Sequence, residues 1–346
     1  MSELSLYRKY RPQEFDEVLG QEHIVKALKS AIKEEKISHA YLFSGGRGTG
    51  KTSVARIFAK AIGTSNNDLY EMDAASNRGI DEVRALKEAV LTLPFESKYK
   101  VYIVDETHMM TKEAFNALLK TLEEPPSHVI FILATTEPDR LPETILSRCQ
   151  HFMFKKPNHA ILKQMVEKVA KKEGFEIEKE AVDLIVVLGD GSFRDTHGVL
   201  QKAISLSKKS KITEEDVVSI SGAPKKSLVQ DFILALAGGE VSKALSVIND
   251  VEVGNFDFKV FLNLVIEKVR QIMLLRFAPE LIETKKQEFS EEDFKFIQNL
   301  AGKNGEKITS KTLSRLLVAQ GESARSDMPA IPLEIAVVET LEQNQK

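Results

Sequence analysis

A chain of 346 residues exceeds what one hydrophobic core usually organises, so two or three domains are expected. Its 42% hydrophobic and 29% charged residues are ordinary for a globular protein and exclude a disordered or fibrous one. The 48 basic and 51 acidic residues leave a net charge of −3, no footprint for a surface that grips nucleic acid all over; any such contact must be local or shared among subunits. One cysteine, Cys149, excludes an internal disulfide and a multi-cysteine zinc site. No apolar run reaches the roughly 18 residues of a membrane span, and Met1-Ser2-Glu3-Leu4-Ser5 lacks the basic and apolar regions of a secretion signal, so a cytoplasmic protein is expected.

In chain order, a turn signal at Arg11-Pro12 precedes a helix from about Gln21. Short apolar runs then alternate with helix-period segments, and strands are predicted at 41–43, 69–72, 101–104, 129–134 and 152–154. A helix over 53–62 would place Val54, Ile57, Phe58 and Ala61 on one face. Such alternation predicts a five-stranded parallel sheet covered on both sides. No strand is predicted after Pro157. Residues 157–222 read as a small helical unit, in which the apolar run 182–188 ends at Gly189-Asp190-Gly191. Ala223-Pro224 marks a break, and the remainder reads as helical, with Phe258, Phe261, Leu262, Val265, Ile266, Val269 and Ile272 recurring at three- and four-residue steps. That stripe fits a packing surface or an internal core equally well. Three units are expected: 1–156, 157–222 and 223–346.

Gly45-Gly46-Arg47-Gly48-Thr49-Gly50-Lys51-Thr52 matches G-x-x-x-x-G-K-[ST] directly after the first predicted strand. Glycines let backbone N–H groups curl around phosphate oxygens while the next helix points its positive end at the same anion. Lys51 can reach the β- and γ-phosphates, and the Thr52 hydroxyl can ligate Mg²⁺. Nucleotide binding is the expectation.

Val101-Tyr102-Ile103-Val104-Asp105-Glu106 is an apolar strand ending in two carboxylates. In a parallel sheet the carboxyl ends of the strands face the ligand crevice, which brings both acids beside the phosphate loop. Asp105 is assigned to the metal, and Glu106 to polarising the water that attacks the γ-phosphate. His108 completes an Asp-Glu-Thr-His string like the DExH box of some helicases, although a polar residue just past a strand is the simpler reading. Thr135 and Thr136 end the next predicted strand, where hydroxyls serve turns as readily as phosphate sensing. Arg148, in Leu146-Ser147-Arg148-Cys149, has no task that its spacing reveals. Ser192 and Asp195 form a capping-box pattern that would hold Arg194 in the first turn of a helix.

Taken together, these segments spell a family. Residues 11–21 (Arg-Pro-Gln-Glu-Phe-Asp-Glu-Val-Leu-Gly-Gln), the phosphate loop, Asp105-Glu106-Thr107-His108-Met109-Met110, residues 116–126 (Asn-Ala-Leu-Leu-Lys-Thr-Leu-Glu-Glu-Pro-Pro), Ala134-Thr135-Thr136-Glu137-Pro138 and Ser147-Arg148-Cys149 occur in order. The chain resembles the bacterial clamp-loader motor subunits, the gamma/tau family of DNA polymerase III, over nearly its whole length and most densely from Leu6 to Arg194. The Ser-Arg-Cys motif is specific to clamp loaders among AAA+ proteins.

The resemblance implies an α/β AAA+ core, a helical lid and an all-α collar that joins subunits into a pentameric assembly. It implies an ATPase that opens a sliding clamp and loads it onto primer–template DNA without sequence preference, within the polymerase III holoenzyme but with no polymerase site of its own. By the same resemblance Thr136 is sensor 1, Arg148 an arginine finger completing the neighbouring subunit's ATP site, and Arg194 sensor 2. Tyr7, Arg11 and Val18 would flank the adenine and ribose. Ser76-Asn77-Arg78-Gly79 is the candidate DNA contact. The family usually carries four zinc-binding cysteines where residues 63–68 here have none, so no zinc is expected. A longer family form carries an extension that binds polymerase and helicase, and a chain ending soon after Pro332-Leu333-Glu334 would lack it.

Three rival readings are a non-motor clamp-loader subunit, a branch-migration or other DNA-remodelling helicase, and a scaffold that binds ATP without hydrolysing it. An intact phosphate loop weighs against the first, Ser-Arg-Cys against the second, and Glu106 against the third.

Overall fold

The computed structural model describes residues 4–76, 80–207, 210–283, 289, 291–302 and 305–342, with backbone alone at 80–84, 282–283 and 342. Two compact units divide the chain: Met1–Leu162 with Gly191–His197, and Lys163–Asp190 with Gly198–Lys346.

The first unit is built on five strands: β1 (Ala40–Gly45), β2 (Leu69–Asp73), β3 (Lys100–Asp105), β4 (Val129–Thr135) and β5 (Gln150–Phe154). They lie in the order β2-β3-β4-β1-β5, and every neighbouring pair is parallel. All seven residues of β4 are buried, as a strand covered on both faces requires, so its apolar run is continuous rather than alternating. The pleat then sends successive side chains to opposite cores. Ile130 and Ile132 join Tyr41, Phe43, Val54 and Phe58 on one face, while Phe131 and Leu133 join Leu42, Phe115, Leu118 and Leu122 on the other.

Around the sheet run α1 (Leu6–Lys9), α2 (Glu22–Lys33), α3 (Lys51–Ala61), α4 (Ile80–Leu91), α5 (Lys112–Glu123) and α6 (Glu143–Leu146). The sheet-facing stripe of α3 consists of Val54, Ala55, Ile57, Phe58 and Ala59. Ala61, predicted on that face, is exposed at the helix end. Truncating Phe58 to alanine would cost about 3–5 kcal/mol, because the void would lie between helix and sheet. Register sets the upper edge of the sheet: Ser44 pairs with Thr135, Gly45 with Phe154, Val104 with Leu133 and Asp73 with Asp105. The carboxyl ends of β1, β3 and β4 therefore finish abreast.

Helix α7 (His159–Lys172) is followed by α8 (Lys179–Leu188), which stops where Asp190 and Gly191 take positive φ values of 45° and 72°. Next come α9 (Phe193–Leu206) and α10 (Glu214–Ser221), the latter opened by a reciprocal Thr213/Asp216 capping box and closed by Gly222 at φ 64°. A two-residue parallel pair, β6 (Glu176–Ile177) with β7 (Lys211–Ile212), corrects the expectation of no strand after Pro157. Two residues are too few to leave a period in the sequence. Helices α11 (Lys226–Gly238), α12 (Val241–Val253), α13 (Phe258–Phe277), α14 (Pro279–Glu283), α15 (Glu291–Ala301), α16 (Ser310–Ser323) and α17 (Ala330–Glu342) complete the second unit. The stripe that opens with Phe258 lies inside their shared core: Phe261, Leu262, Val265, Val269 and Ile272 pack with Phe232, Ile248, Leu316 and Leu333.

Candidate nucleotide-binding site

The phosphate loop leaves β1 and enters α3 through backbone that only glycine adopts readily: Gly45, Gly48 and Gly50 have φ values of 142°, 70° and 102°. A Cβ on Gly45 would lie 2.4 Å from the Phe154 carbonyl oxygen, and one on Gly48 would lie 2.0 Å from Ser192 Oγ. The unpaired N–H groups of the first turn of α3 follow immediately, forming an anion-binding helix start. Thr49 Oγ1 donates to the Gly46 carbonyl at 2.9 Å, while Arg47 is exposed on the loop. Lys51 is buried, and its ammonium donates to the carbonyls of Gly45 and Gly46 at 2.8 and 3.0 Å. Burial lowers the Lys51 pKa, partly offset by the nearby carboxylates of Glu106 and Asp105.

Asp105 and Glu106 end β3. Thr52 Oγ1 donates to Asp105 Oδ2 at 2.7 Å, setting a hydroxyl and a carboxylate side by side. Two hard oxygen ligands that leave room for phosphate oxygens and water suit Mg²⁺. Among the described residues there is no group of three or more His, Cys, Asp or Glu able to hold a metal. Glu106 adopts a left-handed conformation (φ 48°, ψ 44°) and opens a tight 3₁₀ turn, Thr107–Met109. Thr136 Oγ1 donates to Glu106 Oε2 at 3.0 Å, so the predicted sensor hydroxyl meets the predicted water-polarising acid. Thr135 is buried one residue earlier.

Arg194 is carried on the first turn of α9. The Phe193 N–H donates to the Gly48 carbonyl at 3.0 Å, and the Asp195 N–H donates to Ser192 Oγ at 3.2 Å, so the predicted cap also touches the phosphate loop. The Arg194 guanidinium lies over the Tyr7 ring, 5.2 Å from its centre. Burial lowers the Arg11 pKa, helped by the positive charges of Arg56 and Arg194. Tyr7, Arg11 and Arg194 thus share one neighbourhood, while Val18 packs against the core on the α3 face of the sheet.

Arg148 is placed elsewhere. Its guanidinium donates to Glu123 Oε1 at 2.6 Å, the Thr144 carbonyl at 2.8 Å and Ser147 Oγ at 3.2 Å, none of them in the phosphate-loop cluster. Of the candidate DNA segment Ser76–Gly79, residues 77–79 lie outside the described residues.

Two further residues support the site. Gln21 is fully buried; its amide donates to the Lys155 carbonyl at 2.8 Å and to the Thr49 carbonyl at 3.5 Å, fixing the flank of the loop. His108, read as a polar residue past the strand, instead has a ring only 5% exposed, with Nδ1 3.0 Å from Thr135 Oγ1 and 3.5 Å from Glu106 Oε2. Its DExH spacing was the one signal that pointed there.

A parallel sheet of this strand order, with a phosphate loop after β1 and paired acids ending β3, defines the P-loop NTPase fold of AAA+ type. RuvB of Thermotoga maritima, titled a Holliday junction branch migration motor, superposes with a TM-score of 0.53 over 66% of this chain and 79% of that one. At 20% identity the likeness concerns the fold alone.

The sequence comparisons are narrower. Residues 20–79 and 64–158 match the family model described as DNA polymerase III, delta subunit, and residues 212–344 match that of DNA polymerase III subunits gamma and tau, domain III. The DNA polymerase III subunit tau of Bacillus subtilis is 42% identical over 81% of this chain, and the subunit gamma/tau of Mycobacterium bovis is 32% identical over 98%. The chain belongs to the gamma/tau family of DNA polymerase III. It spans 54% and 62% of the length of those two relatives.

Proposed function

We propose that the chain is the ATPase motor subunit of a clamp loader, in which ATP binding and hydrolysis drive a sliding clamp open and onto primed DNA. One observation carries the ATPase half: Lys51, Thr52, Asp105, Glu106 and Thr136, drawn from three separate segments, converge beside the phosphate loop. Gly45 to Thr52 would cradle the phosphates, with Lys51 neutralising the β/γ oxygens. Thr52 and Asp105 would hold Mg²⁺, which when bound screens the phosphate charge. Glu106 would polarise the attacking water, with Thr136 reporting the γ-phosphate. Tyr7, Arg11 and Val18 would border the base and ribose, and Arg194 would read the chain's own nucleotide.

The clamp-loading half rests on family membership and on Arg148. Its contacts lie away from the chain's own phosphate loop, as expected of a residue that serves a neighbouring subunit's ATP. A trans arginine is worth about 10³–10⁵ in phosphoryl-transfer rate, so alignment of subunits by clamp and DNA would act as the trigger. In this reading 157–222 is the lid and 223–346 the collar of a five-subunit cytoplasmic assembly. DNA would be held through its backbone phosphates.

The test is steady-state ATPase of this chain with its clamp-loader partners, with and without clamp and primed DNA, beside Lys51→Ala and Arg148→Ala. Stimulation by clamp and DNA that both substitutions abolish, with ATP binding retained in Arg148→Ala alone, is the expected outcome. Activity indifferent to clamp and DNA, or untouched by Arg148→Ala, would favour a remodelling helicase instead.

A further inference from the structure

We infer that His108 is a positioning residue for Glu106 in ATP hydrolysis, an inference that rests on the ATPase reading above. The imidazole sits between two carboxylates that come from different strand ends. Nδ1 lies 3.5 Å from Glu106 Oε2, and Nε2 lies 3.4 Å from Glu137 Oε1. Glu137 is itself anchored, by Arg140 Nε at 2.9 Å from its other carboxylate oxygen and by its own N–H donating to Thr135 Oγ1 at 3.0 Å. That same Thr135 hydroxyl is 3.0 Å from His108 Nδ1. Thr136, the next residue, donates to Glu106 Oε2. One carboxylate oxygen of Glu106 is therefore approached from two directions, by a hydroxyl on the β4 end and by a ring locked to that same end.

The local backbone explains why residue 108 can face residue 106. The left-handed Glu106 opens a 3₁₀ turn closed by the Met109 N–H donating to the Glu106 carbonyl at 2.8 Å. Thr107 pins the turn to both strands, its hydroxyl within 2.9 Å of the Val104 carbonyl and 3.1 Å of the Ala134 carbonyl. The ring is nearly sealed from solvent, whereas the Glu106 side chain is 33% exposed. His108 thus holds one side of a carboxylate whose other side meets solvent, and ties its direction to residues 135–137. A displacement of that segment on meeting a γ-phosphate moves ring and carboxylate together. His108 touches no reacting atom.

The experiment uses the full chain assembled with its partner subunits, clamp and primed DNA, reading ATP affinity with a fluorescent ATP analogue and hydrolysis by single turnover. His108→Ala is expected to lower the hydrolysis rate by about tenfold or more while leaving ATP affinity within about twofold, as loss of orientation does. His108→Asn, which restores a nitrogen near Nδ1, recovers most of the rate, and His108→Gln, which reaches toward Glu137, recovers less. In a Glu106→Gln background His108→Ala costs nothing further. A His108→Ala rate within about twofold of wild type overturns the inference. So does a rate loss matched by equal losses of ATP affinity and thermal stability, which marks a packing role. Wild-type chain that binds ATP without hydrolysing it, or Glu106→Gln at full rate, brings down the ATPase reading itself; those controls separate the two failures.

Discussion

Substituting Gly48 by alanine tests whether the phosphate loop and the start of α9 are one mechanical piece. At φ 70° an alanine costs about 1–2 kcal/mol relative to its relaxed backbone. Its Cβ would also stand 2.0 Å from Ser192 Oγ and 3.0 Å from Ser192 Cβ, so the hydroxyl must swing off the Asp195 N–H it caps or the two segments must move apart. Parting them stretches the 3.0 Å bond from the Phe193 N–H to the Gly48 carbonyl, worth about 1 kcal/mol. The expected total is about 2–3 kcal/mol, most of it local to the loop. Denaturant unfolding of Gly48→Ala, Ser192→Gly and the double variant separates the terms. Ser192→Gly alone costs a few tenths of a kcal/mol, since glycine is a tolerable cap. In the double variant the clash vanishes and about 1 kcal/mol is recovered, leaving the backbone strain. ATP affinity should follow the same order, weakest in Gly48→Ala. Strict additivity, or a Gly48→Ala penalty under about 0.5 kcal/mol, would refute the coupling.

Asp68 provides a stability prediction with a pH signature. Its buried carboxylate accepts the N–H groups of Phe95, Glu96 and Ser97 at 2.5, 3.0 and 2.8 Å; burial alone would raise its pKa, but these donors bring it down to about 2. Asp68→Asn turns an amide N–H₂ toward those donors and should cost on the order of 3 kcal/mol. Because the folded pKa is depressed, the advantage of wild type should be full above about pH 5 and shrink as pH falls toward 2, read from urea unfolding at several pH values. Cys149, whose thiol burial pushes up to about 11, should react with a maleimide at pH 7.5 far more slowly than a free thiol; reaction at the solution rate would contradict that environment. The Arg148–Glu123 pair is 32% and 47% exposed, so Glu123→Ala should change stability by less than about 1 kcal/mol in a melting experiment. A larger loss would mean that the arginine is structurally committed within its own chain.

What could be read in the sequence was whatever is written locally. The strands show because a parallel sheet covered on both faces demands unbroken apolar runs, as at Val129–Thr135. Lys51, Thr52, Asp105 and Glu106 show because phosphate and metal chemistry fixes their spacing or their place at a strand end. The ends of elements were less visible: α3 begins at Lys51, two residues before the periodic pattern starts, because the phosphate loop delivers its first turn. Long-range contacts were invisible. Gln21 meets Lys155 across 134 positions, and Ser192 meets Gly48 across a similar distance, and neither has a pattern of its own. The stripe in α13 was ambiguous for a related reason. Three- and four-residue steps specify an apolar face but not what covers it, and here α11, α12, α15 and α16 do.

The two acids at the end of β3 raise a last geometric point. Along a strand, successive side chains leave on opposite faces, so Asp105 and Glu106 in plain β conformation would diverge. Both nevertheless bear on Lys51, Asp105 also meets Thr52, and Glu106 meets Thr136. The left-handed backbone at Glu106 resolves the conflict by ending the strand in one residue and folding the chain back toward β4. A non-glycine residue there carries about 1–2 kcal/mol of strain. Glycine would remove the strain but also the carboxylate, so the conformation must be held from outside, by the buried Thr107 hydroxyl against both strands and by the turn bond from Met109. Strain at Glu106 is thus the cost of bringing two adjacent carboxylates to one phosphate-binding cleft. Thr107, whose hydroxyl bonds only the Val104 and Ala134 carbonyls, therefore helps to locate the second acid through the backbone rather than by meeting its carboxylate.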